Sequence, residues 1–186
     1  MKTIILMVAL AGGGSITVPA QNSINNTNID MQGFLTISQK AAAHRQQRRL
    51  TESEFIHLSQ EAGTIVLDAR SREMFELLHV KGAVNLSFPD ITVESLARTI
   101  PDKGQRILIY CNNNFEHEPR AFARKIAPAS LNLSTYISLF SYGYTNVYEL
   151  GPYVDIKQSK IEFAGSRKGL QGHPSVFPGA AQPQPK

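Results

Sequence analysis

Two short apolar runs constrain the fold of this chain more than anything else in it. They are Thr64-Ile65-Val66-Leu67 and Arg106-Ile107-Leu108-Ile109-Tyr110, and each ends abruptly in a residue able to do chemistry, Asp68 or Cys111. The second run is apolar on both faces, as a strand at the centre of a covered parallel sheet must be. The first is short and β-branched, the pattern of a buried strand. Between them Val93, Leu96, Ala97 and Ile100 recur at i, i+3, i+4 and i+7, the stripe of an amphipathic helix. Parallel strands require such a crossover, so the two runs and the stripe predict a βαβ unit.

The flanking segments extend the alternation. Thr51-Glu52-Ser53-Glu54 reads as a capping box opening a helix with Phe55, Leu58 and Ser59, which Ala62-Gly63 ends. Ser71 to Leu78 reads as a short helix, and Ala83-Val84-Asn85-Leu86 as a small strand after the Gly82 turn. Pro119 suits the first turn of a helix that Pro128 would close. Leu133, Tyr136, Ile137 and Phe140 repeat the helical stripe, Gly143 is a natural stop, and Asn146 to Leu150 is a further strand. The predicted class is α/β, with a central parallel sheet flanked by helices on both faces. Ligands in such sheets bind outside the carboxyl ends of the strands, where Asp68 and Cys111 both fall.

The chain of 186 residues has room for one domain of ordinary size, here expected over residues 39–163. Residues 1–20 have the plan of a secretory signal: basic Met1-Lys2, an apolar stretch too short to span a bilayer, and Val18-Pro19-Ala20 at the cleavage position. Export to the periplasm or medium is therefore expected, with no membrane anchor after signal removal. Residues 21–38 read as a flexible leader and 164–186, rich in Gly, Pro and Gln, as a disordered tail. The net charge of +4 includes the run His44-Arg45-Gln46-Gln47-Arg48-Arg49. No aromatic residue interleaves with it, so it reads as a solvated face and not as a nucleic-acid site. No Gly-rich nucleotide loop and no metal-ligand spacing is present, so no cofactor and no metal are expected.

Cys111 is the only cysteine, so no internal disulfide can form. An idle exposed thiol is a liability in an oxidising compartment, and the alternative is a buried structural cysteine, since free Cys is among the most buried residue types. The segment Cys111-Asn112-Asn113-Asn114-Phe115-Glu116-His117-Glu118-Pro119-Arg120 runs from a strand end toward the predicted helix. Backbone N–H groups converging in such a loop, with a helix N-terminus behind them, would favour a thiolate and hold an anion on the sulfur.

Three segments then resemble the rhodanese family. Asp68-Ala69-Arg70-Ser71-Arg72-Glu73-Met74-Phe75 with His79-Val80-Lys81-Gly82-Ala83-Val84-Asn85-Leu86 is similar to its first signature. Ile107 to Cys111 resembles the strand leading to its catalytic cysteine, and Gly143 to Gly151 its closing segment. The resemblance implies one rhodanese-like domain in which Cys111 carries sulfur as a persulfide. Its partners would be a small sulfane-sulfur donor and a thiol or cyanide-like acceptor, and a lone domain makes a monomer the default.

The loop departs from the family's Cys-x-x-Gly-x-Arg, having neither the glycine nor the early arginine. It is lengthened, as in the rhodanese-fold phosphatases and arsenate reductases, but His117 stands where their Cys-x5-Arg loop has arginine. Asn112, Asn113, Asn114, Phe115, Glu116, His117 and Arg120 are the candidate substrate-binding residues. The asparagines could instead serve only to tolerate left-handed backbone angles. His117 could favour the thiolate or simply face solvent, and Arg120 could meet an anionic donor or solvate a helix. Asp68 and Arg70 are read as fixing the loop after their strand, and His79 as packing its turn. The extra length between Pro128 and Tyr142 could line the site or a protein partner's surface. Three readings follow: a sulfurtransferase or sulfur carrier, a non-catalytic binding or redox-sensing module, and an oxyanion enzyme.

Overall fold

The computed structural model describes residues 26–166. The chain divides at Met31. Before it, the Ile29 amide donates to the Asn26 carbonyl in a single turn. The rest builds α1 (Met31–Arg45), β1 (Arg49–Leu50), α2 (Glu52–Ser59), β2 (Thr64–Asp68), α3 (Arg72–Leu77), β3 (His79–Val80), β4 (Val84–Asn85), α4 (Val93–Thr99), β5 (Arg106–Tyr110), β6 (Phe115–Glu116), α5 (Leu131–Ser141), β7 (Val147–Leu150), β8 (Val154–Asp155) and β9 (Phe163–Ala164).

The main sheet has the order β1-β7-β5-β2-β4 and every pairing in it is parallel. β5 is the central strand, which explains why its run is apolar on both faces. Val66, Leu108, Tyr110 and Leu150 face one core with Phe55 of α2. Leu67, Ile107, Ile109 and Val147 face the other, against Ala41 of α1, Leu96 of α4, and Tyr136 and Leu139 of α5. The period of two along each strand thus feeds two separate layers. Thr51 caps α2 and its partner Glu54 returns the bond, as the capping box predicts. The hydrogen bond Glu54 accepts from the Thr51 N–H holds its carboxyl below the ordinary range.

Three expectations need correction. Residues 31–38 belong to α1, not to a flexible leader, because Gln, Leu, Lys and Ala are good helix formers and Ala41 is fully buried in the core. The domain also runs past 163: β9 pairs antiparallel with β3, and the Ser166 amide donates to the Glu76 carbonyl. The helix expected between Pro119 and Pro128 does not form. Its one helical bond is from the Phe122 amide to the Glu118 carbonyl. The carbonyls of Ala121, Ala123 and Lys125, which a helix would need for its own amides, are held by the side chains of Arg70, Asn112 and Asn113. The expected signal, the start of the expected leader and the rest of the expected tail, residues 1–25 and 167–186, lie outside the described residues.

The basic run is not a solvated face. Arg45 and Arg49 both pair with the buried Glu149 of β7, and the Arg48 guanidinium lies 4.7 Å above the Tyr148 ring. His44 meets the Tyr136 hydroxyl at 2.8 Å, and that hydroxyl donates to the Val147 carbonyl. Burial pushes the Tyr136 phenol up to about 12. These charges fasten α1 and β1 to the edge of the sheet. Glu149→Ala should therefore lower stability by about 2 kcal/mol, less than for a wholly buried pair because both arginines reach solvent. A urea melt checks this, and Glu149→Gln should lose about half as much.

Candidate functional site

β2 and β5 lie side by side in register, so Asp68 and Tyr110 are paired residues at their carboxyl ends. The Tyr110 hydroxyl donates to Asp68 Oδ2 at 2.5 Å and accepts the Val80 amide at 3.0 Å. Burial and the adjacent carboxylate push its phenol well above the ordinary value. Arg70 donates to Asp68 from its backbone N–H, from Nε at 3.0 Å and from Nη2 at 2.6 Å. Its remaining donors reach the carbonyls of Ala121 at 2.6 Å and Leu78 at 2.7 Å. Both side chains are almost wholly buried. Their hydrogen bonds are therefore spent on shaping the two segments that follow β2 and β5. His79 donates from Nδ1 to the Phe75 carbonyl at 2.6 Å and stacks on the Phe75 ring at 3.7 Å.

Cys111 leaves β5 with extended backbone and caps a single 3-10 turn, Asn112–Asn114. Its Sγ accepts the Asn113 amide at 3.3 Å and lies 3.5 Å from the Ser130 hydroxyl. Among the described residues, this is the one backbone N–H hydrogen-bonded to the sulfur, where the sequence led us to expect several. The thiol is 1% exposed. Ser130 is the residue before α5, and its hydroxyl does not cap that helix. It turns to the sulfur instead, leaving the positive end of an 11-residue helix beside Cys111.

The three asparagines hold this arrangement through their side chains, and none has a left-handed backbone. Asn112 donates to the Ala123 carbonyl. Asn113 exchanges two bonds with the Lys125 backbone, at 2.8 and 3.0 Å. Asn114 is the hub. Its Oδ1 accepts the Cys111 amide at 2.9 Å and Asn132 Nδ2 at 3.1 Å, while its Nδ2 donates to the Leu150 carbonyl at 2.7 Å and to that of Pro152 at 3.2 Å. It joins the end of β5 to α5 and to the end of β7.

The later candidates stand apart. Phe115 is a core residue, packed on Tyr110, Phe122 and Phe163. Glu116 lies in β6, opposite Asp155 of β8. His117 takes the left-handed conformation, φ 69°, and bonds Asp155 at 2.7 Å. Arg120 lies in a turn instead of a helix, and its buried Nη1 has no hydrogen-bond partner among the described residues. Glu116, His117 and Asp155 could bring three metal-ligating atoms within 4.8 Å of one another. Asp155, however, is already bonded by His117, the Lys157 amide and Gln158, and those bonds account for the cluster without an ion.

A cleft of about 370 Å³ opens beside the loop, between the segment after β2 and the segment 121–131, and Asn112 lines it. Phe115, Glu116, His117 and Arg120 do not. A larger groove of about 680 Å³ follows the ends of β1 and β7 and contains no residue of 111–114. Sequence reasoning missed Ser130, Asn132 and Lys125. Ser130 alone left a signal, as a capping residue type ahead of an apolar stripe.

The rhodanese-like domain family model matches residues 51–151. The chain is similar to the thiosulfate sulfurtransferase PspE of Escherichia coli, 29% identical over 96 residues, which are 52% of this chain and 77% of that protein. Among solved structures it is similar to a rhodanese with anions from E. coli, 23% identical over 55% of this chain and 99% of that one, with a TM-score of 0.38. It is also similar to the BH2092 protein of Bacillus halodurans, 19% identical over 69% and 87% of the two chains, with a TM-score of 0.46.

Two outcomes are expected of this geometry. Native Cys111 should react with iodoacetamide at least about tenfold more slowly than in urea, because the covered thiol must wait for local opening. Asn113→Ala, which releases residue 125, should raise the native rate severalfold. The second concerns acid. Hydrogen bonds from His117 first, then from the Lys157 amide, hold the Asp155 carboxyl below its ordinary range. Its folded pKa lies below its unfolded one, so its contribution is present above about pH 4 and is lost as pH falls through the folded value. The protection of the β6 and β8 amides against exchange, relative to the unfolded chain at the same pH, should fall there, and Asp155→Asn should remove that dependence.

Proposed function

The chain belongs to the rhodanese-like domain family, and on that premise we propose that Cys111 carries sulfane sulfur as a persulfide between a small donor and a thiol or cyanide-like acceptor. The observation that carries the proposal is the position of Cys111, at the carboxyl end of the central strand, with one amide and one hydroxyl on its sulfur. The thiolate attacks the outer sulfur of thiosulfate or a polysulfide. A new S–S bond forms to Sγ, the donor's S–S bond breaks, and sulfite or the shortened polysulfide leaves with the electron pair. An acceptor thiolate or cyanide then attacks the terminal sulfur and breaks the bond to Sγ, restoring the thiolate.

The Asn113 amide, the Ser130 hydroxyl and the start of α5 are the groups that would stabilise charge on these sulfurs. Asp68, Arg70, Tyr110 and Asn114 support the loop from behind. Because the thiol is covered, each transfer requires the segment ending at Ser130 to move aside. The N-terminal pattern of residues 1–20 supports the further proposal that the protein acts after export.

One observation favours a second reading, a redox-sensing or binding module without turnover: the burial of Cys111 with a single amide on its sulfur. The oxyanion-enzyme reading lacks support, since His117, at the position of the phosphatase arginine, is bonded to Asp155.

Thiocyanate formation from thiosulfate and cyanide separates the two surviving readings. The wild type should turn over and Cys111→Ser should be inactive. Ser130→Ala should lower the rate about tenfold, which is ~1.4 kcal/mol of lost transition-state stabilisation. A wild-type rate equal to that of Cys111→Ser would exclude turnover.

A further inference from the structure

We infer that Phe163 is a positioning residue for Cys111: from a strand beyond residues 51–151, it holds in place the segment that covers the sulfur. This rests on the reading of Cys111 as the reacting group and names what governs access to it. Between residues 121 and 130 the chain forms one 3-10 turn, Ala127–Ala129, and no α-helix. The segment ends at Ser130, whose hydroxyl lies 3.5 Å from Sγ. Its placement therefore depends on what grips its first residues. Arg70 takes the Ala121 carbonyl and lies 4.2 Å over the Phe122 ring. Phe122 is buried against Phe115, with ring centroids 4.6 Å apart.

Phe163 closes this aromatic group. Its ring centroid is 5.2 Å from that of Phe115 and 6.2 Å from that of Phe122, edge-on to both at 81° and 71°. Edge-to-face pairs favour one mutual orientation of the rings and not merely their burial. One side chain thus meets the chain on both sides of the turn between β6 and the covering segment.

The strand that carries Phe163 is itself anchored. Phe163 is paired with Val80 of β3, whose amide donates to the Tyr110 hydroxyl at 3.0 Å. The Lys81 amide donates to the Glu162 carbonyl at 2.8 Å, and the Ser166 amide to that of Glu76 at 2.8 Å. Between those two bonds Gly165 has φ 136°, and a side chain there would meet the Leu77 carbonyl at 2.6 Å. Only glycine lets the strand approach so closely. Earlier in the same extension Ile161 is buried in the core, and the Ser159 hydroxyl and Lys160 amide both donate to Glu52. Phe163 is therefore a fixed stop against Phe122, and it acts on the sulfur only through the segment that leads from Phe122 to Ser130.

The test sets iodoacetamide alkylation of native Cys111 beside stability in urea. Phe163→Ala should raise the native rate about tenfold, because the cover opens locally more often. Phe55→Leu is the control, since Phe55 is fully buried in the same core but on α2. At an equal or greater loss of stability it should leave the rate within about twofold of the wild type. Phe163→Tyr keeps the ring and should match the wild type. Phe163→Leu keeps apolar bulk without a ring edge and should fall between; it carries the test if Phe163→Ala does not fold. A rate unchanged in the alanine and leucine variants, or a rise no greater than that of Phe55→Leu at matched stability, overturns the inference. Sulfur loading from thiosulfate, read by intact mass, separates this role from the carrier reading. Absence of loading in the wild type, with alkylation in the expected order, removes the carrier reading alone. Normal loading with alkylation indifferent to Phe163 removes the positioning role alone.

Discussion

The buried ion pair of Asp68 and Arg70 is the interaction on which the functional end of this protein depends. A carboxylate and a guanidinium withdrawn from water are tolerable only if their remaining donors and acceptors are also satisfied. That demand organises everything around them. Tyr110 completes the carboxylate, and the Val80 amide completes Tyr110. The guanidinium then takes the carbonyls of Leu78 and Ala121, and the Phe122 ring packs at 4.2 Å against it. One pair thus fixes the end of α3, the start of β3 and the middle of the segment after Cys111. Removing either partner alone would strand a charge in the core, a cost of about 3–5 kcal/mol.

On this foundation the loop is built by side-chain amides, not by a ring of backbone N–H groups. Asn112 and Asn113 spend their donors on one segment, at Ala123 and Lys125, and Asn114 spends its own on the end of β7. The outcome is a loop that is well tied but closed over its sulfur. Covering the thiol limits its oxidation, and it makes movement of the covering segment part of any reaction at Cys111. The same bonds explain why the chain between Pro119 and Pro128 is irregular, since its carbonyls are already taken.

Much of this was legible in the residues. The doubly apolar run 106–110 implied the central strand, and the stripes at 93–100 and 133–140 implied the helices on it. The capping box at Thr51 and the polar residues ending both runs could be read directly. The misreadings share a physical cause. The composition of the basic run points to solvent, whereas its role depends on Glu149, about a hundred residues away, and on Tyr148. The placement of Pro119 and Pro128 points to a helix between them, which side-chain bonds to the carbonyls of Ala121, Ala123 and Lys125 override. Proximity in sequence groups Phe115, Glu116 and His117 with Cys111, although β6 pairs the first two with β8 and His117 bonds Asp155. Ser130 lies 19 residues from Cys111, and only the fold brings the two into contact.

The central claim is that Cys111 accepts sulfur in spite of its cover. Intact mass after incubation with thiosulfate or a polysulfide tests it most directly. The account predicts a gain of one sulfur atom on the wild type, reversed by a thiol reductant and missing in Cys111→Ser. No gain under conditions that load an ordinary rhodanese, or an equal gain on Cys111→Ser, would contradict it.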